Sequence, residues 1–219
     1  MAETIAQPGR RVQCRVAGMF LALLSVVFCI DRHAPLFIQT MLEQGEYAVE
    51  TTRHTMAYVS MGSNMGNSQA LLEQAGAALA ALPGLTLDAL SSVYKTEPQT
   101  VREQPFFFNR VAALRCTNAI QPLDLLDALL RIEEELGRDR RGAIRFGPRT
   151  MDLDLLLFGN KSMTSRRLIL PHPRMLERAF VLVPLADIAP DLPLPTGGTV
   201  RKALEKLAYS LEDGVILQK

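Results

Sequence analysis

The feature that most restricts the fold of this chain is the regular alternation of apolar segments that begins at Met56. Segments with the composition of β-strands are interrupted by two segments in which leucine and alanine recur at three- and four-residue steps, as in amphipathic helices. Ser68 is suited to cap the first helix and Gly137 to end the second. The predicted elements, in the order strand, helix, strand, strand, helix, strand, are residues 57–62, 68–82, 85–96, 107–116, 122–136 and the segment around Asp152.

This order is the split βαβ pattern, which predicts an α+β fold of the ferredoxin-like type. In such a fold an antiparallel sheet carries two helices on one face. The sequence also predicts a short helix after Pro173 that runs into a packed segment, and a last short helix near residues 200–208. Because the pattern supports many unrelated functions, the function has to be inferred from individual residues.

The composition limits the classes of partner. The chain has 219 residues, 48% of them hydrophobic, which is enough for one domain with a sizeable core plus appendages. The formal net charge is +1, so we expect no nucleic-acid partner. The three cysteines are far apart and form no CxxC motif, which argues against a disulfide framework or a zinc site. We therefore expect a protein of a reducing compartment, the cytoplasm.

Residues 1–55 differ from the rest, and we take residues 56–219 as the functional domain. Arg10, Arg11 and Arg15 precede residues 16–30, fifteen positions without a charge. Basic residues before an apolar run are typical of a signal peptide or an anchor, but this run is shorter than the roughly 20 residues of a spanning helix. Three interpretations stay open: a disordered or non-native extension before a true start at Met56, a weak membrane-surface segment, or an added helix. For the whole protein we expect no membrane partner.

Two aspartates, Asp152 and Asp154, lie one residue apart in the apolar segment "RTMDLDLLLFG". Residues i and i+2 of a strand point to the same face, about 6.6 Å apart. Two unpaired carboxylates on one apolar element repel each other and resist desolvation, whereas a hard divalent cation such as Mg²⁺ neutralises both. The alternative is an exposed strand face on which both aspartates pair with arginines.

A basic stretch precedes the two aspartates. Within twelve residues it contains Arg138, Arg140, Arg141, Arg145 and Arg149. Arginine forks match phosphate oxygens two at a time, so basic groups beside carboxylates are the arrangement of a nucleoside triphosphate site. A solvated basic loop is the alternative. The sequence contains neither a P-loop nor a GxGxxG motif after a strand, so any use of ATP requires a specialised site.

Six stretches carry a resemblance to a known family. They are "YVSMGSN" at residues 58–64, "VYKTEP" at 93–98, "EQPFFFN" at 103–109, "RIEEELGRDR" at 131–140, "RFGPRTMDLDLLLFG" at 145–159 and "PHPRMLERAFVLVPLADIAP" at 171–190. In this order they resemble the 6-hydroxymethyl-7,8-dihydropterin pyrophosphokinase family of folate biosynthesis. The resemblance covers residues from about 56 to 195, and its most specific part is the stretch around Asp152.

The resemblance implies a ferredoxin-like enzyme that transfers pyrophosphate from ATP, its co-substrate, to the pterin hydroxymethyl group and releases AMP. We expect this enzyme to be a monomer. The implied catalytic residues are Arg138, Arg149, Asp152 and Asp154, with the two aspartates holding two Mg²⁺ ions. The implied ATP-binding residues are Glu133, Arg138, Arg140, Arg141, Arg149, His172 and Arg178, where Arg140 and Arg141 are alternatives for one contact. The implied pterin-binding residues are Thr96 and Asn109, by hydrogen bonds, and Phe107 and Phe180, which sandwich the ring.

The alternative function is a non-catalytic ferredoxin-like binding module. Such a module for RNA needs a basic sheet face that bears aromatic residues. The predicted strands have little basic character, so we expect the enzyme rather than the binding module.

Overall fold

The computed structural model of the chain describes residues 54–99, 101–139 and 147–218. The predicted N-terminal extension, residues 1–55, lies outside these ranges except for its last two residues. Arg140, Arg141 and Arg145 of the basic stretch also lie outside the described residues. The roles expected of these segments therefore stay predictions.

The described residues form nine strands and four α-helices. The strands are β1 Thr55–Ser63, β2 Leu85–Leu90, β3 Tyr94–Thr96, β4 Phe107–Cys116, β5 Asp152–Phe158, β6 Met163–Thr164, β7 Ile169–Leu170, β8 Tyr209–Glu212 and β9 Val215–Gln218. The helices are α1 Ser68–Ala80, α2 Pro122–Glu135, α3 Ala179–Ile188 and α4 Val200–Leu204, with a 3₁₀ turn at Met175–Glu177. A sheet with helices packed on it confirms the predicted α+β class.

Strand β1 lies inside the main sheet, where it pairs antiparallel with β4 on one side and with β5 on the other. Strand β4 also pairs antiparallel with β2 and β3. In this register Gly62 of β1 lies opposite both Asn109 of β4 and Asp152 of β5. Two predicted site residues that are distant in sequence therefore lie in the same row of the sheet.

The sheet is mixed, whereas the sequence predicted a purely antiparallel one. Strand β9 runs parallel to β3, with Ile216 opposite Thr96, and β8 completes a hairpin with β9 at that edge. The predicted last helix ends earlier, at Leu204, and residues 209–218 form this hairpin instead. The pairing joins residues about 120 positions apart, and local periodicity carries no signal of such a distant partner.

The single strand predicted over residues 85–96 is interrupted between β2 and β3. The backbone N–H of Ser92 donates to Asp187 Oδ2 at 2.8 Å, and the Oγ of Ser91 accepts from the N–H of Val111 at 2.9 Å. The N–H of Ser91 still donates to the carbonyl of Val111 at 2.9 Å, whereas the N–H of Ser92 is satisfied by a side chain. After the interruption, β3 pairs with the beginning of β4 and with β9.

Helices α1 and α2 pack on one face of the sheet, as the split βαβ pattern predicted. Leu72 and Leu79 of α1 and Leu125 and Leu129 of α2 are almost fully buried against that face, together with Met61 of β1. Each such leucine stabilises the fold by about 1.5–3 kcal/mol through removal of apolar surface from water. This layer holds β1 and β5, which position the aspartates, in place.

The ends of these two helices agree with the sequence except at one cap. Asn67, rather than the predicted Ser68, caps α1, because its Oδ1 accepts a hydrogen bond from the N–H of Ala70 at 3.2 Å. Helix α2 starts at Pro122, where the fixed φ of proline suits the first turn. Gly137 follows it with φ +83°, a conformation that favours glycine and confirms the predicted end.

A third helix, α3, covers the opposite face of the sheet. Val181 and Leu182 pack there in a cluster with Tyr58, Val111 and Leu156. The segment "AFVLVPLADI" is apolar almost throughout, so it has no amphipathic period from which its second face could be predicted. None of the helices in the described part of the chain has the length and apolar character needed to cross a membrane.

Candidate active site

A cavity of about 340 Å³ opens where the end of β1 meets the beginnings of β4 and β5. Predicted site residues make up most of its lining: Thr96, Phe107, Asn109, Arg138, Arg149, Asp152, Asp154, His172, Arg178 and Phe180. Of the other predicted residues, Glu133 is not in the lining but contacts Arg138. Arg140 and Arg141 lie outside the described residues.

The two aspartates project from β5 into this cavity. Leu153 and Leu155, which alternate with them, are buried in the core under α1 and α2. The alternation of a strand therefore separates a polar face from an apolar face over four residues. Both carboxylates line the cavity, and arginines lie beside each of them, as the alternative interpretation of an arginine-paired strand face also expected.

Asp152 is held by two arginines. Its Oδ1 accepts a hydrogen bond from Arg138 Nη1, and its Oδ2 accepts one from Arg149 Nη1 at 2.6 Å. The same Nη1 of Arg138 donates to Glu133 Oε1 and to the carbonyl of Met151, at 3.1 Å for the latter. Both oxygens of Asp152 are therefore engaged, and the two guanidinium groups are fixed beside the cavity.

Asp154 is held much more loosely. Arg178 Nη1 lies 3.7 Å from its Oδ2 and His172 Nε2 lies 3.9 Å away, both beyond ordinary hydrogen-bond distance. Burial and the neighbouring charge of Asp152 raise the pKa of Asp154 from 3.8 to about 6, against the opposing effect of Arg178, Arg149 and Arg138. A carboxylate with a raised pKa and weak partners is energetically suited to accept a cation.

The residues present fit a hydrated divalent cation. Among the described residues no group of three or more His, Cys, Asp or Glu side chains is close enough to hold a metal. Mg²⁺ usually takes one or two carboxylates and completes its octahedron with water and substrate phosphates. Asp152 and Asp154 supply that number of carboxylates, so the site suits a metal that arrives with a phosphorylated substrate.

Glu133 supports this arrangement from inside the protein. Its side chain is 1% exposed, and its Oε1 accepts hydrogen bonds from Arg138 and from the N–H of Leu153, the latter at 2.8 Å. A buried carboxylate is tolerated when it is paired and hydrogen-bonded. Glu133 therefore links α2 to β5 and orients Arg138, and in this structure it contacts the arginine rather than the cavity.

Thr96 and Asn109 form a polar pair at another wall of the cavity. Asn109 Nδ2 donates to Thr96 Oγ1 at 2.7 Å, and both residues are 4% exposed. A Cβ on Gly62 would lie 2.8 Å from Asn109 Oδ1, so only glycine leaves room for this amide. Thr96 and Asn109 both line the cavity, so their polar atoms can orient a planar ligand here.

Phe107 and Phe180 line the same cavity, and each ring has a guanidinium group near its face. The Cζ of Arg149 lies 5.6 Å from the Phe107 ring centroid, and that of Arg178 lies 5.4 Å from the Phe180 centroid. These are cation–π distances. The aromatic rings and the guanidinium groups are therefore adjacent. A ligand that carries a flat ring next to a polyphosphate requires both kinds of group side by side.

His172 has one definite tautomer. Its Nδ1 accepts a hydrogen bond from the backbone N–H of Arg174 at 3.2 Å, so the ring proton lies on Nε2. Burial, followed by the positive charges of Arg178 and Arg174, lowers the pKa of His172 to about 4. The residue is therefore neutral near pH 7 and presents an N–H donor to the region of Asp154.

Sequence reasoning missed Asn64, which organises two loops of the site. Its Oδ1 accepts from the N–H of Arg149 at 2.8 Å, and its Nδ2 donates to Gln104 Oε1 and to the carbonyl of Pro105, both at 3.1 Å. It is 4% exposed. The sequence feature that could have identified Asn64 is its place as a polar residue at the end of a buried strand, in the stretch "YVSMGSN".

Other lining residues also had no predicted role. They are Ser60, Gly62, Glu97, Gln99, Gln104 and Arg174. Ser60 and Gly62 alternate on β1 and lie opposite Asp154 and Asp152. The signal for these two was the alternation of β1 itself, once its pairing with β5 is known.

The family follows from comparison with known proteins. Residues 58–190 match the family described as 7,8-dihydro-6-hydroxymethylpterin-pyrophosphokinase (HPPK). The chain belongs to the HPPK family. The matched segment contains every described residue of the predicted site, from Thr96 to Phe180, so the predicted resemblance is confirmed.

Curated relatives have the same assignment. A protein of Pseudomonas aeruginosa is 51% identical over 140 residues, which make up 64% of this chain and 84% of that protein. A protein of Methylorubrum extorquens is 46% identical over 153 residues, or 70% of this chain and 94% of that protein. Both are named 2-amino-4-hydroxy-6-hydroxymethyldihydropteridine pyrophosphokinase. These relatives do not favour the binding-module alternative.

Solved structures support the fold. A wild-type HPPK-DHPS protein of Plasmodium falciparum, crystallised with pterin and p-hydroxybenzoate, superposes with a TM-score of 0.54 at 15% identity. The superposition covers 72% of this chain and 44% of that one. The chain thus spans less than half the length of that longer protein, and at this identity the likeness concerns the fold alone.

Proposed function

We propose that this chain transfers the pyrophosphoryl group of ATP to the hydroxymethyl group of 6-hydroxymethyl-7,8-dihydropterin, giving the pterin diphosphate and AMP. The observation that carries the proposal is one cavity that joins the carboxylates of Asp152 and Asp154, four arginines and two phenylalanine rings. Relatives of up to 51% identity carry the name of this enzyme. Pyrophosphoryl transfer depends mainly on positioning and charge neutralisation, and the side chains of the cavity are suited to both.

In this proposal Asp152 and Asp154 hold two Mg²⁺ ions that arrive with ATP. The ions, when bound, neutralise the negative charge of the triphosphate. The raised pKa of Asp154 and its loose contacts support this role, since a cation would relieve the repulsion between the two carboxylates. Deprotonated aspartates are required, so binding of the metal is expected to strengthen as the pH rises through about 6.

The arginines are proposed to bind phosphate oxygens. Arg138 and Arg149 contact Asp152 in this structure, and we propose that they exchange this carboxylate for the phosphates when ATP enters. Arg178 and neutral His172 would contact phosphate from the opposite side of the cavity, with Arg140 or Arg141 added from the basic stretch. Arg138, Arg149, Asp152 and Asp154 form the proposed catalytic set, and Glu133 holds Arg138 in position.

The pterin is proposed to bind between the two phenylalanines. Phe107 and Phe180 offer ring faces for a flat heteroaromatic molecule. Thr96 and Asn109 would hydrogen-bond its polar edge, a placement that their buried pair at the cavity wall supports. The hydroxymethyl group would then face the arginines and the aspartates. Its oxygen would attack the β-phosphorus of ATP as the bond from that phosphorus to the bridging oxygen breaks. AMP would leave with the bridging oxygen, and the hydroxyl proton would pass to solvent.

The finer assignments belong to the same proposal. The order β5, β1, β4 and then β2 or β3, with α1 and α2 on one face, supports the ferredoxin-like assignment. We further propose that residues 56–219 are the pyrophosphokinase domain and residues 1–55 an extension. The low cysteine content supports a cytoplasmic location, and the net charge of +1 supports the absence of a nucleic-acid partner. We further propose that the chain acts as a monomer.

The test is an assay of AMP formation by the full chain. We expect AMP to form only when ATP, Mg²⁺ and 6-hydroxymethyl-7,8-dihydropterin are all present. Mass spectrometry would identify the second product as the pterin diphosphate. Release of ADP or inorganic phosphate in place of AMP would contradict the proposal, because it would place the attack at the terminal phosphorus.

A further inference from the structure

The last described residue of the chain, Gln218 at the end of β9, makes three side-chain hydrogen bonds to elements of the site. Its Nε2 donates to the carbonyl of Glu177 at 2.7 Å, and its Oε1 accepts from the N–H of Ala179 at 2.8 Å. The same Oε1 accepts from Nε2 of Gln99 at 2.7 Å. One amide thus connects the C-terminal strand, the start of α3 and the loop that follows β3.

The two backbone contacts flank Arg178. This residue has φ −118° and ψ 108°, an extended conformation, between the 3₁₀ turn and α3. An amide that donates to the carbonyl of residue 177 and accepts from the N–H of residue 179 occupies the place of a neighbouring strand. The residue before helix α3 provides no side-chain cap. Gln218 instead accepts a hydrogen bond from the N–H of Ala179, one of the first N–H groups of α3, which have no acceptor within the helix.

Packing brings Gln218 to this point. Ile216, two residues earlier on β9, is 2% exposed and packs in a cluster with Ala179 and Val183 of α3. Residues two apart on a strand point to the same side, so the side chain of Gln218 meets the start of α3 beside Ile216. The parallel pairing of β9 with β3 fixes this register.

We propose that Gln218 is a positioning residue for Arg178 and Phe180, an inference that rests on the proposed pyrophosphokinase activity. It fixes the extended backbone of Arg178, whose guanidinium lies 3.7 Å from Asp154, and the first turn of α3, from which Phe180 reaches the cavity. Through Gln99, a cavity-lining residue, it also holds the loop after β3. The C-terminal hairpin is therefore part of the substrate-binding architecture.

The test compares Gln218→Ala and Gln218→Glu in the full chain with a control in the same hairpin. We expect Gln218→Ala to lower kcat about tenfold and to raise KM for the pterin, because reacting groups must be held closely. Gln218→Glu keeps the acceptor for Ala179 but places a carboxylate against the Glu177 carbonyl, so an intermediate loss is expected. Glu212→Ala, at an exposed position of β8, is expected to leave both constants unchanged.

A second readout does not depend on turnover. Hydrogen exchange at the Ala179 amide, followed by NMR, is expected to speed up at least tenfold in Gln218→Ala and to stay slow in Gln99→Ala, which removes only the loop contact. An unchanged exchange rate, or faster exchange with wild-type kcat and KM, would overturn the proposal. A lower melting temperature with unchanged constants per folded molecule would also overturn it. A wild-type chain that makes no AMP would instead reject the proposed function, whatever the exchange shows.

Discussion

At the scale of single residues, the two aspartates of the site have unequal partners. Asp152 receives hydrogen bonds from two arginines, whereas Asp154 has only distant contacts with Arg178 and His172. In the absence of metal, Asp154 is therefore the carboxylate whose ionised form destabilises the folded protein. This difference gives a pH dependence that can be measured without substrate.

We expect Asp154→Asn to stabilise the metal-free protein at pH 7.5. The pKa of Asp154 is raised from 3.8 to about 6 by burial and by Asp152, so folding favours the protonated form. The free energy of unfolding therefore falls as the pH rises from 3.8 toward 6, and an uncharged asparagine avoids this decrease. Because the side chain is 41% exposed, we expect a gain of only about 1 kcal/mol.

The measurement is denaturant unfolding of both proteins in EDTA at pH 4 and pH 7.5. The difference between them should shrink to a small fraction at pH 4, where Asp154 is protonated in the folded protein and partly protonated in the unfolded chain. Asp191→Asn is a suitable control, because Asp191 is exposed and pairs with the exposed Arg201. An Asp154→Asn variant that is less stable than wild type at pH 7.5 would contradict the account.

The close approach of Gly62 to Asn109 gives a second prediction. A Cβ at position 62 would lie 2.8 Å from Asn109 Oδ1, so Gly62→Ala must move the amide away from Thr96. We expect KM for the pterin to rise about tenfold, since the loss of one oriented hydrogen bond to a polar edge is of that size. Steady-state kinetics with varied pterin would measure this rise.

Gly76→Ala provides the matched control for this variant. Its Cβ would meet only the flexible end of Leu90, at 3.3 Å, on the helix side of the sheet. We expect wild-type KM for the pterin. Equal KM values for the two alanine variants would show that the space above Gly62 has no part in pterin binding.

At the scale of elements, the sequence patterns predicted those features of the helices and strands that depend on local interactions. The leucine spacing of α1 and α2, the glycine after α2 and the alternation of β5 all had a periodic or conformational signature. The break between β2 and β3 had none, because it depends on a contact between Ser92 and Asp187, 95 positions apart. The uniformly apolar α3 likewise gave no indication of the face that it covers.

Asn64 gives a prediction at this scale, because it connects β1 to two loops. We expect Asn64→Ala to lower the free energy of unfolding by about 2 kcal/mol, since three partly buried hydrogen bonds lose a partner. We also expect kcat/KM to fall about tenfold, because the backbone of Arg149 is no longer fixed. Chemical denaturation and steady-state kinetics at saturating Mg²⁺ would measure the two effects.

Asn67→Ala, three residues later, is the control for Asn64→Ala. It distinguishes a loss of stability from a loss of the correct position of Arg149. It removes the cap of α1 and should cost about 1 kcal/mol of stability. Asn67 is exposed and is not among the residues that line the cavity, so kcat/KM should stay at the wild-type value. If both variants lowered kcat/KM equally, the role of Asn64 at Arg149 would be refuted.

At the scale of the whole molecule, the site is assembled from segments that the sheet brings together. The carboxylates, arginines and aromatic residues could be selected from the sequence because they stand in recognisable stretches, and the structure brings those that it describes to one cavity. It did not predict the supports: Asn64, Gly62 and Gln218 act through contacts across strands or from the C-terminal hairpin. Such residues have no local pattern, and only the register of β1, β5 and β9 reveals them.

The central claim is that two carboxylates on one strand hold the metal-bound triphosphate. Its most direct test is kcat/KM for AMP formation by the double variant Asp152→Ala, Asp154→Ala at saturating Mg²⁺, with folding checked by circular dichroism and with Asp191→Ala as the control. The account predicts a loss of about a thousandfold or more for the double variant and no change for the control. A folded double variant that retains kcat/KM within tenfold of wild type would contradict it.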